Sequence, residues 1–173
     1  MAVQIREFGP RDAAFLATLA RDPRVVRYVG DGSVWSDDYI AERTAQALAP
    51  SPWGERGGAH WVTLWTSAED DGAVTAGEQR IGLALAMFKT LDGVGDCTEI
   101  GYWLAPDFWG QGLAKPMVRA VVSWVLATTS SDREVPVVAR IAPDNAASAA
   151  TVRGLGFERI GMSEGMDVFT LAR

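Results

Sequence analysis

Chemistry-bearing residues cluster in two places. In Phe108 to Ala114, Gly110, Gly112 and Ala114 recur at every second position. Before them, Thr98 to Leu104 carries Ile, Tyr, Trp and Leu, as a buried strand does. After them, Val118, Val121, Val122 and Val125 recur at helical spacing, with Pro116 in the first turn. Small residues let a backbone approach a ligand, and a helix start presents unpaired N–H groups. Strand, glycine loop and helix start together form an anion site suited to phosphate. The second cluster is Asn145 and Ser148, three apart and so on one helix face. Glu99 belongs with both, because alternation sets it with Gly101 and Trp103, opposite Ile100, Tyr102 and Leu104. A carboxylate on a largely buried strand needs a partner or a task.

Three readings compete for the glycine stretch, and the first, which a lone Gly-x-Gly usually deserves, is a tight connection that binds no ligand. A dinucleotide fingerprint starts directly after its strand and has an acid at the end of the next one. Here several residues intervene, and the next strand ends Ala139-Arg140-Ile141. A nucleotidase loop needs Gly-Lys-Ser/Thr, which Ala114-Lys115-Pro116 is not. The run Trp109-Gly110-Gln111-Gly112-Leu113-Ala114 instead resembles the Arg/Gln-x-x-Gly-x-Gly/Ala loop of the GNAT acyltransferases. The preceding Glu99-Ile-Gly-Tyr-Trp-Leu resembles the branch that includes the ribosomal-protein alanine N-acetyltransferases. Asn145-Ala-Ala-Ser148 followed by Leu155-Gly156-Phe157 resembles a second motif of the same family at its usual spacing. The resemblance covers nearly the whole chain, most firmly residues 98–157. Trp109 departs from the general pattern by removing a polar side chain, but it leaves the backbone amides.

The resemblance implies acetyl-CoA as co-substrate and an amine as acceptor. Residues 109–115 would hold the pyrophosphate. Lys115 either adds a contact to phosphate or is a solvated lysine. Amides near Trp103, Leu104 and Ala105 would polarise the thioester carbonyl, and Asn145 would contact CoA. Glu99 is either an ion-paired strand carboxylate or the acceptor of the amine proton, directly or through water. Ser148 would donate a proton to the thiol sulfur or only orient it. Tyr28 and Trp35 would contact the acceptor amine, although each taken singly reads more readily as aromatic packing. The acceptor is a protein N-terminus or a small cationic amine. A non-catalytic CoA-binding or sensor module is the competing reading.

Composition sets bounds. The chain has 173 residues, with 48% hydrophobic and 22% charged side chains, and carries a net charge of −6. That is ordinary globular composition, sufficient for one domain over residues 1–173. The acidic balance argues against a nucleic-acid partner and suits cationic substrates. One cysteine, Cys97, and one histidine, His60, leave no internal disulfide and no expected metal site. No apolar run approaches membrane-spanning length and no signal-peptide core is evident, so no membrane partner and a cytoplasmic location are expected. Seven tryptophans leave material for a homodimer interface.

The elements that must position these residues follow from periodicity. Strands are expected near 2–8, 60–66, 79–88, 98–104 and 135–141, with a closing hairpin of 158–162 and 166–171. Helices are expected at 12–21, 24–28, 36–48, 115–127 and 146–155, with Ser36 as an N-cap and Asp144 or Asn145 as another. Gly154 inside the last helix would cost about 1 kcal/mol relative to Ala. Ala49 to Ala59, Ser67 to Gly77 and Thr128 to Glu134 read as loops, the first as a candidate lid. The fold class is α/β, a GNAT-like mixed, largely antiparallel sheet with helices on both faces and splayed central strands forming the acetyl-CoA site.

Overall fold

The structure, a computed structural model, describes residues 2–49, 58–66, 77–128 and 135–171. The expected loops at 50–57, 67–76 and 129–134, and with them the lid, lie outside the described residues. Seven strands form one sheet: β1 (Val3–Glu7), β2 (Ala59–Thr66), β3 (Gln79–Leu91), β4 (Gly95–Leu104), β5 (Val137–Ile141), β6 (Phe157–Ser163) and β7 (Met166–Leu171). Their spatial order is β1-β2-β3-β4-β5-β7-β6. Every neighbouring pair is antiparallel except β4–β5. The expected mixed α/β architecture is therefore observed.

Five helices cover the sheet: α1 (Ala13–Ala20), α2 (Pro23–Val26), α3 (Asp37–Leu48), α4 (Ala114–Thr128) and α5 (Ala146–Arg153). Alternation along the strands assigns them to faces. On β4, Ile100, Tyr102 and Leu104 pack with the valines of α4 and with Val152 of α5. Trp103 points the other way and joins Leu16 and Leu19 of α1, Trp61 and Leu83. Local chemistry starts the helices where the sequence marks them. The Ser36 hydroxyl accepts from Tyr39 N–H at 3.2 Å, and Asp37 and Asp38 occupy the positive first turn of α3. Asn145 Oδ1 accepts from Ser148 N–H at 3.2 Å at the start of α5.

Two sequence expectations change. β3 runs on to Leu91, because its hairpin with β4 turns tightly about Asp92–Val94 and keeps pairing up to Leu91↔Gly95. Gly154 is the C-cap of α5, not an interior residue, so the helix-interior cost does not apply. A Cβ there would come within 3.3 Å of Lys115 Nζ. The missing side chain leaves the Lys115 ammonium close to the negative end of α5.

Gly82 fixes how closely β3, β4 and α4 approach. A Cβ at this position would lie 2.3 Å from the Trp103 carbonyl oxygen and 3.1 Å from Met117 Sδ. Backbone cannot yield as a side-chain tip does, so Gly82→Ala should destabilise the fold by about 1–3 kcal/mol. Gly101→Ala, whose Cβ would meet only Leu85 side-chain carbons at 3.5 Å or more, should cost less. Urea-unfolding midpoints compare the two; equal midpoints would show that the β3–β4 approach is not limited at Gly82.

Candidate active site

The one parallel pair of the sheet opens. β4 and β5 are paired only at Thr98↔Val137 and Glu99↔Val138. Beyond that point β4 stays paired to β3 as far as Leu104, and β5 stays paired to β7 as far as Ile141. Two separately bonded half-sheets diverge, and a cavity of about 740 Å³ lies between them. It is lined from one face by Glu99, Trp103, Tyr28 and Trp35, and from the other by Tyr102, Asn145 and Ser148. Six of the sequence-predicted site residues thus share one cavity.

The backbone of β4 has a definite orientation at the gap. Thr98 N–H donates to Pro136 O at 3.0 Å, so the N–H groups of Tyr102 and Leu104 face the same edge by alternation. Ala105 N–H faces the other way and donates to Ile81 O at 2.8 Å, which places the Trp103 amide toward β3 as well. Of the three amides expected at the thioester, Leu104 alone points into the gap. Tyr102, which sequence reasoning passed over, supplies a second.

Beyond β4 the chain forms a cradle outside the cavity. Trp109 Nε1 donates to Leu104 O at 2.8 Å, and Gln111 Nε2 donates to Asp107 O at 2.7 Å. These bonds hold the loop by its side chains and leave its amides unspent. The N–H groups of Gly110, Gln111, Gly112, Leu113, Ala114 and Lys115 bond to nothing among the described residues. Gly110 and Gly112 have φ of +73° and +74°, a region that favours glycine, and a Cβ on either would meet no atom within 4 Å. Free amides, open space and the N-terminus of the 15-residue helix α4 fit a pyrophosphate. Lys115 is exposed at the same helix start.

Glu99 is buried and ion-paired. Lys89 Nζ lies 2.7 Å from Oε2, and Arg140 Nε lies 3.1 Å from Oε1 and 3.2 Å from Oε2. Arg140 also binds Glu164, from the β6–β7 turn. Burial works against the charge of Arg140, but Glu99 and Glu164 more than offset it and hold its pKa up. The Arg140 guanidinium in turn pulls the Glu164 carboxyl below its usual range. A carboxylate has room for about four hydrogen bonds, so Glu99 retains acceptor capacity toward the cavity. Cys97, two residues earlier, is buried, and burial first, then the Glu99 charge, pushes its thiol up to about 11.

Ser148 has a partner that the sequence did not suggest. Its Oγ lies 2.6 Å from the Tyr102 hydroxyl, joining β4 to α5 across the gap. Tyr28 reaches the β5–α5 loop, its hydroxyl donating to Asp144 O at 3.4 Å. Trp35 stacks edge-on against Tyr39 at 4.7 Å and against Trp103 at 5.2 Å. Among the described residues no group of three or more His, Cys, Asp or Glu is placed to hold a metal ion, and no helix is long and apolar enough to cross a membrane.

Residues 3–158 match the acetyltransferase (GNAT) domain family. No curated protein matches the chain significantly. Among solved structures, AAC(6')-Ib in complex with ribostamycin and coenzyme A is 20% identical, covers 100% of this chain and 94% of its own, and superposes with a TM-score of 0.72. Spermidine N-acetyltransferase from Vibrio cholerae in complex with CoA and spermine is 15% identical, with coverage of 97% and 92% and a TM-score of 0.69. A domain from Methanocaldococcus jannaschii is 16% identical, with coverage of 98% and 97% and a TM-score of 0.69.

Burial pushes the Tyr102 hydroxyl above the ordinary tyrosine value, against the opposing hydrogen bond from Ser148. The folded chain therefore holds that proton longer than the unfolded chain. The resulting stability is complete below about pH 10, the unfolded value, and is lost as pH rises through the raised folded value. Urea unfolding from pH 8 to 12 should show this alkaline loss together with that of the raised Cys97 thiol, and Tyr102→Phe should remove the Tyr102 part of it. An unchanged alkaline slope in the variant would remove Tyr102 as its source.

Proposed function

The chain belongs to the GNAT acetyltransferase family, and from that premise we propose that it transfers the acetyl group of acetyl-CoA directly to a primary amine of a small molecule. The observation that carries this reading is the open β4–β5 gap with a free-amide cradle beside it. The amine nitrogen attacks the thioester carbonyl carbon, the C–S bond breaks, the amine loses a proton and the CoA sulfur gains one. We assign the pyrophosphate to the amides of Gly110 to Lys115, with Asn145 beside the pantetheine arm. One of the Leu104 and Tyr102 amides donates to the carbonyl oxygen as it becomes an oxyanion, and the other, about 6.6 Å along the strand, meets the pantetheine arm.

Ser148 is the group we place at sulfur. With Tyr102 behind it, its hydroxyl proton is directed at the departing thiolate. The raised pKa of Tyr102 disfavours tyrosinate, so the pair stabilises the thiolate by hydrogen bonding and solvent supplies the final proton. Glu99 is the candidate acceptor of the amine proton, through a water on its free lone pair. Lys89 and Arg140 already occupy most of its acceptor sites, which favours an effect at the low end of the 10²–10⁴-fold range for proton transfer. Those same ion pairs are the observation that favours the alternative, a non-catalytic CoA-binding module. The aminoglycoside and polyamine complexes of the structural neighbours support a small-molecule acceptor. The Glu99 to Leu104 motif supports a protein N-terminus as the competing one.

Thermal unfolding with acetyl-CoA, NAD and ATP tests the cofactor. At a hundred times its dissociation constant a ligand adds about 2.7 kcal/mol, a rise of roughly 5–10 °C for a chain of this size. Acetyl-CoA alone should give that rise, and Gly112→Val should abolish it. A rise with NAD or ATP instead would sink the reading. Thiol release in the presence of primary amines then separates enzyme from binding module. Ser148→Ala should lower kcat about tenfold or more with acetyl-CoA affinity retained. Glu99→Gln with full turnover at every pH would remove Glu99 as base.

A further inference from the structure

We propose that the acceptor amine also carries an anionic group, a carboxylate in the first instance, and that Arg43 recognises it. This rests on the acetyl-transfer reading above and names the substrate class of that same cavity. Arg43 projects from α3 into the cavity lined by Glu99 and Ser148, its guanidinium carbon 5.4 Å from the centre of the Trp61 ring. One donor is spent on Gln46 Oε1, at 2.8 Å on the same helix. Its Nε is buried and has no hydrogen-bond partner. No carboxylate lies within ion-pair distance of it among the described residues.

The other charges of the cavity's inner wall are paired, and Asp31 stands apart from them. Arg140 is compensated by Glu99 and Glu164, and Glu99 by Arg140 and Lys89. Asp31 sits on an exposed loop, where its carboxylate accepts from Ser33 N–H. Arg43 is thus an uncompensated cation beside an aromatic wall in which Trp61 meets Trp103 at 6.0 Å and Trp103 meets Trp35 at 5.2 Å. In such low-dielectric surroundings an unpaired charge selects strongly for its opposite. A planar guanidinium with free parallel N–H groups fits a carboxylate in two-point contact. A polycation would bring further positive charge to Arg43 and find only the Asp31 carboxylate, on an exposed outer loop, to offset it. An amino acid presents its amine to the thioester and its carboxylate to Arg43.

The test pairs each acid with its own amide. Glycine, 4-aminobutyrate, 6-aminohexanoate and glycylglycine, their carboxamides, spermidine and kanamycin are offered with acetyl-CoA, and thiol release is followed. At least one acid should exceed its amide in kcat/KM by about ten- to a hundredfold, the range for a hydrogen bond to a charged group. The difference should lie mainly in KM. Arg43→Met should bring that ratio close to one, and Arg43→Lys should restore part of it. A residue that merely packs on Trp61 would change acid and amide alike. Equal use of acids and amides by the wild type, preference for spermidine or kanamycin, or a ratio untouched by Arg43→Met would overturn the proposal. Acetyl-CoA binding with no thiol release from any amine would overturn the transfer reading itself, and this inference with it. Should Arg43→Met fail to fold, hexanoate and hexanamide decide on the wild type: hexanoate should compete with the acceptor and hexanamide should not.

Discussion

The parting of β4 and β5 is the constraint on which the rest of the structure depends. A parallel pair is normally bonded along its length, and buried amides without partners are costly. Here the pairing stops after Glu99↔Val138, while each strand keeps its other neighbour. The cost is confined to one edge of each strand, and that edge faces the cavity. The gap also joins the two faces of the sheet. Ser148 stands on the α4–α5 face and Glu99 on the α1–α3 face, yet both line one space. Without the opening the sheet would separate them.

Electrostatics holds the two half-sheets in relation across that opening. Lys89 is on β3, Glu99 on β4, Arg140 on β5 and Glu164 in the β6–β7 turn, so the ion pairs run across the sheet where backbone bonds end. A buried carboxylate removed from water needs such partners to remain charged. The arrangement sets stability against the proposed catalysis at one residue: each cation that anchors Glu99 occupies a lone pair that an incoming proton would need. The Tyr102–Ser148 bond spans the same gap from the other face.

What could be read from the sequence is what a few neighbouring residues decide. Ser36 and Asn145 are caps because an oxygen reaches an amide three residues on. The Gly110–Gly112 cradle was legible because positive φ and free amides are properties of the loop itself. The site's long-range bonds were not legible. Glu99 and Arg140 are 41 residues apart and Tyr102 and Ser148 are 46 apart, and each meeting depends on strand order and register. Alternation along β4 gave the faces correctly, but it could not say that the Ala105 amide is taken by Ile81. Gly154 was placed inside α5 because the apolar pattern continues to Leu155, whereas the helix stops at Arg153.

The same distinction separates the two ends of the site. The proposed phosphate end is one continuous segment, β4 through the start of α4, and its contacts would be backbone N–H groups common to any side chain except proline. Substitution there changes little unless it blocks the approach, as a Cβ at Gly110 or Gly112 would. The proposed acceptor end is assembled from α2, the loop before α3, α3 itself, β2, β4 and β5, and side chains line it: Tyr28, Trp35, Arg43, Trp61, Trp103 and Arg140. Any one of them can change without disturbing the cradle. Likeness in the loop from Trp109 to Ala114 therefore bears on the proposed acetyl donor alone. The charge balance around Arg43, which no local motif encodes, speaks to the acceptor.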